Sequence, residues 1–227
     1  HLCALFNQWV EQGYMNDEDS IAVITPIYKQ KGMKEDDENY RPISVTTTVY
    51  RTFATTLCMA LMPHMADLLP ESQIGFLAWR DIGENIDLLV ETLRYVNHDR
   101  PEEGGLFVLL DNEKAFDLVR HEFMMDAMHA HGIPESFTSA IKAMYTGAKA
   151  RVKVNGQLSE TFPLTASVRQ GCPLSPLLFL FAQEVQLHII RTHPGLQGIR
   201  IPDGRGEDGP GKADRLTVRS LADDMVV

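Results

Sequence analysis

At the start of the chain Leu2, Leu5, Phe6, Trp9 and Val10 recur at three- and four-residue intervals, which predicts an amphipathic helix. "IAVITPIY" then reads as a strand pair or extended segment, and an acidic loop follows it. From about Thr47 a second helix places Val49, Phe53, Leu57 and Leu61 on one face. Pro63 fits the first turn of a new short helix better than a helix interior, where its ring would displace a hydrogen bond. Ile86, Leu89, Val90, Leu93 and Val96 mark another helix. "GGLFVLLD" is a continuous apolar run after two glycines and predicts a buried strand ending at Asp111. Two helices come next, with Gly132 as a stop and Pro134 as a start. "ARVKVNGQLSETF" is a hairpin turning at Asn155-Gly156. "SPLLFLFAQEVQLHII" is a long apolar helix with Pro176 in its first turn, and "PDGRGEDGPGKAD" is a flexible loop. Isolated strands, helices and hairpins in this order predict an α+β fold rather than regular βαβ units, and no internal repeat is present.

The last residues raise a chemical question. In "RLTVRSLADDMVV" the pair Asp223 and Asp224 sits between the apolar residues Leu216, Val218 and Leu221 on one side and Met225, Val226 and Val227 on the other, a pattern of two strands joined by a short connection. Asn-Gly or Asp-Gly would turn more easily, although Asp does visit left-handed backbone. Two like charges side by side are unfavourable unless a cation shares them, whereas an isolated pair is ordinarily a solvated turn. Asp111 stands where an apolar strand runs out, and it either ends that strand or presents a carboxylate to a cleft. A strand-end aspartate and a strand-turn pair on neighbouring strands could together bind two magnesium ions about 3.5–4 Å apart, the arrangement that drives phosphoryl transfer. Magnesium needs only one or two carboxylates when substrate phosphates complete its shell. In "VRQGCPLSPLLF", Gly171 allows close backbone approach to a ligand, while Arg169 and Gln170 project from a loop beside the next helix. Taken alone, that segment is a turn joining hairpin to helix.

Composition bounds these readings. No apolar run reaches the length of about 18 residues that a membrane span needs. The three cysteines, Cys3, Cys58 and Cys172, are scattered and form no CxxC, which points to a reducing, intracellular setting, nucleus or cytoplasm, rather than a disulfide or zinc framework. The first residues lack a starting Met, a basic region and a cleavage site, so they are no signal peptide, and the chain is expected to begin and end inside a longer protein. Net charge is −10, which by itself disfavours a nucleic-acid partner, although much of the acid is local to "NDEDS" and "KEDDEN". "GEDGPGK" has the spacing of a phosphate loop but is rejected: Ala213 follows its Lys212, Pro210 removes an N–H, and Glu207 and Asp208 repel phosphate. His129 and His131, two apart on a helix, face different directions and make a poor metal pair.

Six segments, in order, complete the picture: "PIYKQKG", "NYRPISVTTTVYRTFATTL", "ESQIGF", "LLDNEKAFDLVRHEF", "RVKVNGQLSETFPLTASVRQGCPLSPLLF" and "LADDMVV". Together they resemble the reverse-transcriptase domain of non-LTR (LINE-like) retrotransposons, from about Thr25 to Val227. The resemblance implies a right-hand polymerase fold, with fingers over residues 1–104 and a palm over 105–227 that is incomplete at its C-terminal end. Residues of about 121–168 would pack back on the fingers, and a thumb would be absent. It implies RNA-directed DNA synthesis with two Mg2+ ions, or Mn2+, on an RNA template and DNA primer with dNTPs, and no membrane partner. By resemblance Asp111, Asp223 and Asp224 are the catalytic carboxylates, with Asp111 and Asp223 as the main metal ligands, joined by the backbone carbonyl of Asn112. Phe116 would lie under the incoming sugar, Gln170 and Gly171 beside the nascent pair, and Arg41 near the triphosphate. Arg80 and Arg169 would touch template or primer. Asn112 and Leu221 stand where the family usually has an aromatic and a Tyr. The alternative is a decayed or domesticated fragment that at most binds nucleic acid. A palm-type cyclase is a third reading, opposed by the segments around Arg41 and Gln170.

Overall fold

The computed structural model describes residues 1–99, 106–200, 215–221 and 224–226. The elements in chain order are α1 (Leu2–Gln12), α2 (Asp17–Ser20), β1 (Ile21–Tyr28), β2 (Tyr40–Val45), α3 (Thr48–Leu61), α4 (Met65–Leu68) and α5 (Ile82–Arg94). They continue with β3 (Leu109–Asp111), α6 (His121–Ala130), α7 (Glu135–Tyr145), β4 (Lys149–Val154), β5 (Gln157–Leu158), β6 (Phe162–Pro163) and α8 (Ser175–Thr192). Four short strands close the chain: β7 (Ile199–Arg200), β8 (Arg215–Leu216), β9 (Arg219–Leu221) and β10 (Asp224–Val226). The loop expected over 202–214 lies outside the described residues. Among the described residues no helix is long and apolar enough to cross a membrane.

The chain folds as two compact units, His1–Pro63 with Lys114–Ala182, and His64–Glu113 with Gln183–Val227. Each unit joins two stretches of chain.

In the first unit the sheet runs β2-β1-β4-β5, with β6 also on β4. β1 pairs antiparallel with β2, from Val23↔Val45 to Tyr28↔Tyr40, and parallel with β4, from Ile21↔Lys149 to Ile24↔Val152. The β4–β5 turn is where expected, with φ of 49° at Asn155 and 82° at Gly156, the left-handed pair that a two-residue hairpin needs. Thr47 caps α3 by accepting from the Tyr50 N–H at 3.1 Å, and its own hydroxyl donates to Asp19. α6 and α7 part at Gly132 (φ 80°) and Pro134, as predicted. The apolar faces meet in a dense core. Trp9 touches Phe6 and Phe53 with ring centroids 5.5 and 5.6 Å away, and Met124, Met128, Ile141, Leu178 and Phe181 are fully buried. Each such side chain contributes about 1.5–3 kcal/mol relative to leaving it in water.

The second unit holds α4, α5, the C-terminal part of α8 and two small sheets, β3-β10-β9 and β7-β8. Met225 and Val218 bury against Leu187 and Ile190 of α8. The segment Ser72–Ile74 runs parallel along β9: the Ser220 N–H donates to the Ser72 carbonyl at 2.9 Å, and the Ile74 N–H donates to the Ser220 carbonyl at 3.0 Å. "GGLFVLLD" does end in a strand at Asp111, but the expectation of burial fails. Among the described residues β3 is the edge of its sheet, and Leu109 is 75% exposed. A continuous apolar run fits a strand covered on both faces; an edge strand of three residues is not one.

Candidate active site

Two groups of predicted residues are assembled, one in each unit. In the second unit the deciding feature is register. β10 pairs antiparallel with β3 so that Asp224 lies directly across from Asp111, Met225 from Leu110 and Val226 from Leu109. Directly opposed residues point to the same face with Cβ atoms about 4.5–5.5 Å apart. Side chains alternate, so burying Met225 on α8 sends Asp224 to the opposite, open face. Both aspartates are exposed. Like charges opposed in this way repel, and a shared cation removes the repulsion. Carboxylates are also the hard oxygen donors that magnesium prefers, so this pair fits the ions that the family resemblance implied. β9 and β10 form the expected hairpin, Leu221 pairing with Asp224 across two intervening residues. Asp223, the third carboxylate, lies outside the described residues. Among the described residues no cluster of three or more metal-binding side chains occurs. Asn112 follows β3 directly and is half-buried.

A polar network backs this sheet. The Gln73 amide is fully buried; its Nε2 donates to Gln183 Oε1 and to Ser220 Oγ, both at 3.2 Å, and its Oε1 accepts from the Gly75 N–H at 3.0 Å. Gln73 and Ser220 were not anticipated from sequence. Arg80, expected at the template, clamps this turn instead: its guanidinium donates to the carbonyls of Leu69, Pro70 and Gln73.

In the first unit Phe116 stacks on Phe179 of α8, centroids 4.7 Å apart and planes 14° apart, so one face of the ring is packed and the residue is half-buried. Gln170 is held twice. Its carbonyl accepts from the Ser44 N–H of β2 at 2.7 Å, and its Nε2 donates to both oxygens of Asp117, at 3.0 and 3.2 Å. Burial raises the Asp117 pKa from its ordinary value, against the lowering effect of the Gln170 hydrogen bond and of Lys114 and Lys29. Gly171 has φ of 104°, and a Cβ there would meet the Ser44 carbonyl at 3.1 Å. The close approach that its sequence predicted is therefore to β2, the protein's own strand. Arg41 is exposed on that same strand.

Arg169 is corrected outright. It is 1% exposed; its Nη2 donates to the Ser20 carbonyl at 2.7 Å, and its guanidinium lies 4.6 Å from the centre of the Tyr50 ring. A guanidinium stacked in the core cannot reach a template.

A family model described as reverse transcriptase (RNA-dependent DNA polymerase) matches residues 29–227. The chain belongs to the reverse transcriptase family. Its relatives include proteins of transposons and retrotransposable elements. It is 30% identical to the "Retrovirus-related Pol polyprotein from type-1 retrotransposable element R2" of Nasonia vitripennis, over 92% of this chain and 18% of the relative. It is 29% identical to the "Transposon TX1 uncharacterized 149 kDa protein" of Xenopus laevis, over 84% of this chain and 14% of the relative. The chain thus spans less than a fifth of the length of either. Among solved structures, apo telomerase from Candida Tropicalis truncated from its C-terminal domain matches at a TM-score of 0.50 and 13% identity. That likeness covers 98% of this chain and 47% of the telomerase chain, and it concerns the fold alone. This reverse-transcriptase domain therefore carries two of its aspartates opposed on one small sheet.

Proposed function

We propose that this chain is the polymerising domain of a retroelement protein that copies RNA into DNA, joining a primer 3′-hydroxyl to the α-phosphate of a dNTP. The observation that supports it best is the cross-strand pairing of Asp111 with Asp224 in a chain of this family. Asp111 and Asp224, with Asp223 and the carbonyl of Asn112, would hold two Mg2+ or Mn2+ ions. Such ions stabilise the charge that develops on the attacking and leaving oxygens. The protein's own part is to position and to exclude. Register on β3 and β10 fixes where two carboxylates stand, and Met225 anchors that register in the core. Phe116, braced by Phe179, would shape the sugar site against a 2′-hydroxyl. Gln170 and Gly171 would line the same nucleotide site, and Arg41 would meet the triphosphate. The fingers over 1–104 and palm over 105–227, the RNA template, the DNA primer and an intracellular setting belong to this reading.

The test is primer extension by the full-length natural protein on an RNA template. Template-directed dNTP incorporation that needs Mg2+ or Mn2+ is expected. Tight primer–template binding without synthesis in either metal would favour the decayed or domesticated fragment instead.

A further inference from the structure

Two stretches far apart in sequence run side by side in the first unit. The Val168 N–H donates to the Phe116 carbonyl at 2.9 Å, the Ser167 N–H donates to the Val119 carbonyl at 2.8 Å, and Arg120 bridges antiparallel to Ala166. His121 Nε2 extends the contact with a 3.0 Å bond to the Ser167 carbonyl. This short ladder ties the residue proposed under the sugar to the loop that holds Gln170. At its end the Asp117 carboxylate takes the Gln170 amide on both oxygens. A carboxylate only accepts, so the amide nitrogen of Gln170 must face Asp117 and its Oε1 must face away. With its main chain also bonded to Ser44, Gln170 has neither a free rotor nor a free backbone.

We propose that Asp117 is a positioning residue for nucleotide selection: it locks the Gln170 side chain and the Phe116 segment into one unit, so that affinity for a deoxynucleotide and rejection of a ribonucleotide depend on it. This rests on the polymerase reading above. Asp117 acts through Gln170 and the neighbouring ring, and it takes no part in bond making. A charge-assisted bond to a partly buried acceptor is worth about tenfold or more in an equilibrium. Phe116 also stacks on Phe179, and its main chain is tied to Val168 beside Gln170.

The test uses single-nucleotide incorporation by the full-length protein on an RNA template, with dNTP and the matching ribonucleotide. Asp117→Leu, which has no acceptor, should raise KM for dNTP about tenfold and cut discrimination against the ribonucleotide by a similar factor, with kcat changed less than about threefold. Asp117→Asn keeps one acceptor oxygen and should recover most of both. The double variant Asp117→Leu/Gln170→Leu should be no worse than Gln170→Leu alone, because the two side chains act as one. A merely structural role would lower the active fraction, which reduces kcat and leaves KM and the discrimination ratio fixed. An active wild type with unchanged KM and discrimination in Asp117→Leu, or with additive effects in the double variant, overturns the proposal alone. A wild type that makes no product in either metal overturns the polymerase reading and this proposal with it.

Discussion

The two assembled groups hold their side chains by different means. In the second unit the aspartates are placed by backbone register: three pairs along β3 and β10 decide that Asp111 faces Asp224, and the side chains themselves stand exposed. In the first unit the residues are latched by local contacts, Phe116 by Phe179, Gln170 by Asp117 and Ser44, and Gly171 by its approach to Ser44. The difference teaches where each region is sensitive. A strand that slips by one residue turns its whole set of side chains to the other face, so the aspartate pair is all or nothing. A broken latch loosens the groups it ties together and leaves the aspartate pair in place. Strands as short as β9 and β10 have little hydrophobic pattern with which to specify register. The Gln73–Ser220–Gln183 network and the parallel run of Ser72–Ile74 supply part of that specification.

The comparison breaks most sharply at the aspartates. Asp111→Asn or Asp224→Asn in the full-length protein should lower the single-turnover rate by about a thousandfold or more, since the charge stabilisation at stake is several kcal/mol. Thermal stability of Asp111→Asn should hold or rise, because one of two opposed charges is gone. The next largest effect is expected behind the sheet. Gln73→Leu leaves the buried Gly75 N–H without its side-chain acceptor, at a cost of about 1–3 kcal/mol. Urea unfolding should register that loss, and the rate per folded molecule should fall too, because register is less well fixed.

A smaller effect separates core from template. Arg169→Ala should destabilise the protein by about 2 kcal/mol through the lost stacking on Tyr50, with no change in the salt dependence of primer–template binding. A shallower salt slope would restore Arg169 to the template. The smallest effect concerns pH. Burial lowers the His121 pKa below its usual 6.5, so the folded ring stays neutral where the unfolded one is already protonated. Stability from this group is present above about pH 6.5 and lost as pH falls toward the lowered value. His121→Gln should flatten the melting-temperature profile below about pH 6.5.

Much of this was legible one segment at a time. The turn at Asn155-Gly156, the break at Gly132 and Pro134, and the hairpin flanking Asp223 and Asp224 each rest on local chemistry, and local chemistry is written in neighbouring residues. The family was legible too, because six segments in order leave few alternatives. Partners across the chain were not. Gln170 meets Asp117 at a separation of 53 residues, and Gln73 meets Ser220 at 147, and neither periodicity nor spacing points from one to the other. Arg169 was misread for a related reason: a loop between hairpin and helix reads as exposed, and its aromatic partner Tyr50 lies far upstream. Net charge is a sum over the whole chain, to which exposed acids such as Asp17, Glu18, Glu35 and Asp36 contribute, and it says nothing of the site.

The central claim is that the opposed pair Asp111 and Asp224 is a divalent-cation site. The most direct measurement is Mn2+ binding to the full-length protein by electron paramagnetic resonance, with primer–template and a non-hydrolysable dNTP present. Two bound ions per chain are predicted for the wild type, with spin coupling between them, and one or none for Asp111→Asn. Equal stoichiometry and coupling in Asp111→Asn would contradict the account.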